Sequence, residues 1–69
     1  MTNTELLEKW ILKSGKKKKY LAEKVGLSYA GFRNCLTNKA EFKTSQVKVL
    51  CEELGISNLK DKEAVFYAR

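Results

Sequence analysis

The side chains able to do chemistry in this chain of 69 residues are mostly cationic or hydrogen-bonding, and few are nucleophilic. There is no histidine, and Cys35 and Cys51 are the only cysteines. The sequence contains no nucleophile paired with a base, no four-ligand metal spacing and no glycine loop of the phosphate-cradling kind. An enzyme, a cofactor site and a metal site are therefore not expected. What stands out is cationic: Lys16, Lys17, Lys18 and Lys19 run consecutively, and Lys39 and Lys43 follow further along. Between these groups stand Tyr29, Arg33, Asn34 and Thr37, all able to form directional hydrogen bonds. The formal net charge of +6 is concentrated, because residues 9–48 carry eleven Lys or Arg against Glu23 and Glu41. Such a field suits a polyanion, either nucleic acid or an anionic membrane surface. On charge alone a solvated lysine-rich surface remains open.

These residues need elements to hold them, and the apolar pattern predicts an all-α chain of four to five short helices in a single domain, residues 1–69. Leu6, Leu7, Trp10 and Ile11 form one stripe of a first helix over residues 4–13. Thr2 with Glu5 has the spacing of a capping box, and Thr4 competes as the cap. Ser14-Gly15 ends that helix. A second helix is predicted from about Lys17 to Val25, with Leu21, Ala22 and Val25 inward and no obvious N-cap. Gly26 breaks it, Ser28 caps a third helix over about Tyr29–Leu36, and Phe32 and Cys35 face inward. Asn38 suits the left-handed turn that closes it. Thr44 or Ser45 is expected to cap a fourth helix with Val47, Leu50, Cys51 and Leu54 inward, stopped by Gly55. Asp61–Tyr67 reads as a short fifth helix or an extended tail, with Val65, Phe66 and Tyr67 packing on the rest of the domain or burying against another molecule. Cys35 and Cys51, in apolar helical registers, are expected as small buried thiols.

The spacing of the second and third helices is specific. A tight helix-turn-helix needs two apolar residues one turn apart, a small residue at the crossing, a turn residue tolerant of positive φ and an apolar plug. Leu21 and Val25, Ala22, Gly26 and Leu27 meet those needs, and Phe32 with Cys35 returns two inward residues from the third helix. All seven positions fall within fifteen residues. With Phe32 and Cys35 inward, the opposite face of the third helix carries Tyr29, Ala30, Arg33, Asn34 and Thr37.

The stretch LAEKVGLSYAGFRNCLTNK, with motif core about residues 18–37, resembles the helix-turn-helix of phage repressor and Cro-type regulators. That family has a five-helix lambda-repressor-like domain. WILKSGKKKKY is similar to its first helix and turn, VKVLCEELGIS to its fourth helix, and EAVFYA to the apolar tail of small prophage Cro-like members. Three positions depart from the family pattern: Lys16 stands where an apolar residue is common, Lys17 where a hydroxyl cap is common, and Phe32 where Ile or Val is usual. The resemblance implies a sequence-specific double-stranded DNA-binding regulator whose third helix enters the major groove.

By that resemblance Tyr29, Ala30, Arg33 and Asn34 occupy the base-reading positions. Their chemistry is apt: Arg33 can donate two hydrogen bonds to guanine, and Asn34 can pair bidentately with adenine. Ala30 can touch a thymine methyl, and Tyr29 can reach a phosphate or stack on a sugar. The phosphate contacts are expected from Lys17, Lys18 and Lys19 at the start of the second helix and from Lys39 and Lys43 beyond the third. Ser28, Thr37, Asn38, Thr44 and Ser45 would serve as neutral donors. Five or six lysines on phosphates would make log K fall with log[salt] at a slope of roughly −4 to −5. Gly31, inside a helix, costs about 1 kcal/mol relative to Ala, which close approach to the DNA backbone or room for Phe32 would explain.

A second reading keeps the fold and changes the partner. An antirepressor would dock on a partner repressor protein, with Lys16 to Lys19 on an acidic patch and Tyr29, Phe42 or the Val65–Tyr67 tail as apolar anchors. Weak homodimerisation through the fourth helix, the tail or both is expected, since palindromic sites need two recognition helices. No membrane role is expected. No apolar run approaches the ~20 residues of a span, and the lysines cluster in a turn rather than along an amphipathic face. Thr2–Lys13 lacks the pattern of a secretory signal, so the expected location is the cytosol.

Overall fold

Each apolar stripe becomes a helix in the computed structural model, which describes residues 1–68. The order is α1 (Thr4–Ser14), α2 (Lys18–Lys24), α3 (Tyr29–Leu36), α4 (Thr44–Leu54) and α5 (Leu59–Phe66). The architecture is all-α with no strand among the described residues, and the last segment is the short fifth helix rather than an extended tail. Arg69 lies outside the described residues. Among the described residues no helix is long and apolar enough to cross a membrane.

Helix ends follow a common device. Gly26 after α2, Asn38 after α3 and Gly55 after α4 all take positive φ, at 76°, 59° and 76°. In each case the next N–H reaches back five residues. Leu27 donates to the Ala22 carbonyl at 2.9 Å, Lys39 to Asn34 at 2.9 Å and Ile56 to Cys51 at 2.9 Å. This left-handed closure satisfies carbonyls that the helix leaves open. It also turns Leu27 and Ile56 back onto the core, Ile56 being buried and Leu27 partly so.

Two predicted caps are corrected. Asn3, not Thr2 or Thr4, begins α1, its Oδ1 accepting from the Leu6 N–H at 3.1 Å. Thr2 is buried, and its carbonyl accepts from the Asn38 side-chain amide at 3.0 Å, while the Asn3 N–H donates to the Val65 carbonyl at 2.7 Å. These long-range bonds hold Thr2 outside the helix, leaving the strong capper Asn at the boundary. At α4 the boundary residue is Lys43, with Thr44 and Ser45 already inside. The Gln46 side chain accepts from the Lys43 N–H at 2.8 Å and holds the first turn from within.

The core takes one wholly buried large side chain from every helix: Leu7, Leu21, Phe32, Leu50 and Val65. Burying each contributes roughly 1.5–3 kcal/mol. Ala22, only 1% exposed, sits on α2, which packs chiefly against α3. α5 packs on α1, burying Val65 and Phe66, whereas Tyr67 stays half exposed and does not join the packing predicted for it. Phe42 stands edge-on between Phe32 and Phe66, with ring centroids 5.7 and 6.0 Å away. Leu36 and Ile56 also belong to the core, beyond the inward positions predicted for those segments. Cys35 and Cys51 are buried free thiols.

Candidate nucleic-acid interface

α3 owes its start to Ser28, whose Oγ accepts from the Gly31 N–H at 3.1 Å. With Phe32, Cys35 and Leu36 buried, Tyr29, Ala30, Arg33, Asn34 and Thr37 are all left exposed on α3 and its C-cap. Ala30, Arg33, Asn34, Thr37 and Lys39 line one shallow depression of 160 Å³. The four predicted base-reading residues therefore reach solvent from adjacent turns of one helix. The Arg33 guanidinium lies over the Tyr29 ring, 5.9 Å from its centroid, in the range of a cation–π contact.

Gly31 has a local cause. A Cβ added there would lie 3.2 Å from Ser28 Oγ and 3.8 Å from Leu27 Cδ2. The glycine thus leaves room for the capping hydroxyl.

The lysine run divides by environment. Lys17, Lys18, Lys19 and Tyr29 line an open depression of 430 Å³. Lys17 is the N-cap of α2, in extended conformation and without a side-chain cap. Lys18 pairs with Glu8 at 2.8 Å, while Lys17 and Lys19 are exposed and make no ion pair among the described residues. Lys16 is drawn away from the surface charge. Its ammonium donates to the Glu53 carbonyl at 2.7 Å and to the Glu53 carboxylate at 3.0 Å, closing the end of α4. The Tyr20 hydroxyl donates to the same carboxylate at 2.9 Å. Hydrogen bonds from Lys16 and then Tyr20 hold the Glu53 carboxyl below the usual range. A lysine where the resembled family is often apolar is thus anchored by a partner 37 residues away.

Two of the proposed neutral donors are engaged internally. The Thr37 hydroxyl turns back to the carbonyls of Arg33 and Asn34, at 3.1 and 3.3 Å, and one Asn38 amide hydrogen is spent on Thr2. Ser28 Oγ accepts within its cap, which leaves its hydroxyl hydrogen for an outside acceptor. Lys39, Lys43, Thr44 and Ser45 are exposed around the α3–α4 connection.

Glu5 and Glu8 belong to the neighbourhood of the site, which the sequence pattern does not indicate. They line a 290 Å³ groove with Lys18, Tyr29 and Arg33, and the buried Glu8 Oε1 has no hydrogen-bond partner among the described residues. The only sequence signal is their spacing of three on one helix, and Glu5 reads equally well as a capping residue. Burial pushes both the Cys35 and Cys51 thiols up, and among the described residues no three His, Cys, Asp or Glu side chains converge on a metal position. Comparison of the chain with protein-family models, curated proteins and solved structures yielded no match.

Proposed function

We propose that this protein is a sequence-specific double-stranded DNA-binding regulator of transcription, a binding module rather than an enzyme, acting in the cytosol. It would lay α3 in the major groove as the repressor and Cro-type regulators that it resembles do. The observation that carries this reading is the exposed face of α3. Ala30, Arg33 and Asn34 project together from a helix whose other side is locked into the core. α3 has eight residues, and a helix with its side chains, about 10–12 Å in diameter, suits a groove roughly 12 Å wide. Lys17 and Lys19 precede it and Lys39 and Lys43 follow it, all exposed, which supports phosphate contacts on both flanks.

A single copy spans 28 Å in its longest direction, less than the ~34 Å between half-sites one DNA turn apart. Reading a palindrome therefore takes two copies, a weak homodimer completed on DNA. The test is selection of bound sites from a randomised duplex pool at moderate salt. Recovery of a short motif, single or inverted, supports the proposal, and uniform salt-sensitive binding or none removes it.

The second reading, an antirepressor that docks on a partner repressor, draws on exposed aromatics. Tyr29 is 47% and Tyr67 50% exposed, which suits anchors in a protein interface. Phe42, engaged with Phe32 and Phe66, has less to offer a partner.

A further inference from the structure

We infer that Tyr29 is a positioning residue for Arg33, and that the two act as one guanine-reading unit. The inference rests on the DNA-binding reading above and deepens it. As a separate residue, Tyr29 would have its hydroxyl on a phosphate or its ring on a sugar. Instead its ring lies beneath the Arg33 guanidinium, at 5.9 Å from centroid to carbon. The spacing of four residues puts the two side chains on one helix face. Tyr29 is the first residue of α3, and the Ser28 cap fixes the backbone of that turn. The ring is therefore held from below by a formed helix end while one of its faces supports the cation.

The surroundings show why such support matters. An unsupported arginine has many rotamers to lose on binding, and here it also has competing partners. Glu5 and Glu8 line the same groove, Glu8 holding Lys18 through Oε2 at 2.8 Å while its buried Oε1 has no hydrogen-bond partner among the described residues. A guanidinium released from the ring is drawn toward these carboxylates and away from the bases. The ring holds it without an opposing charge and leaves its N–H groups free along the edge. A guanine presents O6 and N7 to such an edge, and adenine replaces O6 with a donor. Tyr29 thus raises the discrimination of guanine from adenine, while the hydroxyl has no part in it.

The experiment uses the full chain and the duplex motif that the native protein selects. The guanine read by Arg33 is the position at which Arg33→Ala becomes indifferent to base identity. At that position guanine, adenine and 7-deazaguanine are compared by fluorescence anisotropy for the native protein, Tyr29→Phe and Tyr29→Leu. Thermal melts confirm that each variant is folded. The native protein is expected to prefer guanine over adenine roughly five- to a hundredfold and to lose much of that preference with 7-deazaguanine. Tyr29→Phe keeps the guanine-to-adenine ratio within about twofold of native, since the ring remains, whereas Tyr29→Leu lowers it about two- to fivefold. An undiminished ratio in Tyr29→Leu overturns the inference and leaves the DNA reading intact. So does a uniform loss of affinity in Tyr29→Phe, which would put the hydroxyl on a phosphate. A native protein that selects no motif overturns both.

Discussion

Gly31→Ala is the substitution whose outcome depends most directly on the geometry of α3. Alanine in a helix interior is favoured over glycine by about 1 kcal/mol. Against this stands the Cβ contact of 3.2 Å with Ser28 Oγ, closer than ordinary packing, so the hydroxyl must give by a few tenths of an ångström and strains the bond that it accepts from the Gly31 N–H at 3.1 Å. Losing a serine cap costs roughly 0.5–2 kcal/mol. The two effects nearly cancel, and Gly31→Ala alone is expected to change stability by less than about 0.5 kcal/mol. In the Ser28→Ala background the obstructing oxygen is gone. The nearest remaining atoms are Leu27 Cδ2 at 3.8 Å and Leu27 Cβ at 3.9 Å, both ordinary contacts. There Gly31→Ala should stabilise by about 1 kcal/mol, a rise in Tm of about 4–8 °C for a domain of this size. Urea unfolding of the four proteins of the cycle, with a common m-value, measures the coupling. An additive result, with Gly31→Ala having the same effect in both backgrounds, would refute the claim that this glycine exists for the cap. An unchanged stability cycle with weaker DNA binding would place the need for glycine at the ligand instead.

Ala22→Leu inserts a larger side chain at a position of α2 where only 1% of the alanine is exposed. It should destabilise by about 1–3 kcal/mol, seen as a lower melting midpoint by circular dichroism, and a native midpoint would contradict tight packing at this position. Lys17→Gln and Lys19→Gln should each reduce the salt slope of DNA binding by about 1. Lys16→Gln should leave it nearly unchanged, because that ammonium is bound to Glu53. Equal slopes for all three variants would mean that the internal pairing of Lys16 does not govern its contact with DNA. The Glu53 carboxyl is held below its ordinary value by Lys16 and Tyr20. Its contribution to stability is therefore present above the unfolded-state value, about pH 4.3, and is lost as pH falls through the lower folded-state value. Urea midpoints measured from about pH 7 down to about pH 3 should show a shallower acid decline for Glu53→Gln than for the native chain. Matching declines would remove Glu53 from the acid response.

Within each segment the amino-acid order alone determined most of what a helix needs. The apolar residues of α2, α3 and α4 recur at helical spacing, so Leu21, Ala22, Val25, Phe32, Cys35, Val47, Leu50, Cys51 and Leu54 were legible as inward and are all buried. Gly26, Asn38 and Gly55 were legible as stops because a left-handed turn depends mainly on the residue that makes it. The exposed face of α3 followed from the buried one, since the period of a helix ties the two together.

Tertiary structure decided whatever depended on a partner distant in sequence. Thr2, Asn3 and Thr4 are chemically plausible caps alike, and the choice of Asn3 came from bonds to Asn38 and Val65 that no local pattern contains. Lys16 reads as one more surface charge in a run of four until α4 brings Glu53 against it. Val65, Phe66 and Tyr67 are similarly apolar, but α1 covers only one side of a short helix, so the first two are buried and the third is not. The groove that sets Glu5 and Glu8 beside Arg33 likewise exists only once α1 and α3 meet. Helical periodicity and turn preference are properties of neighbouring residues and are carried by order alone. Ion pairs, long-range caps and the covering of one apolar side chain rather than another arise through space, and only the packed chain sets those distances.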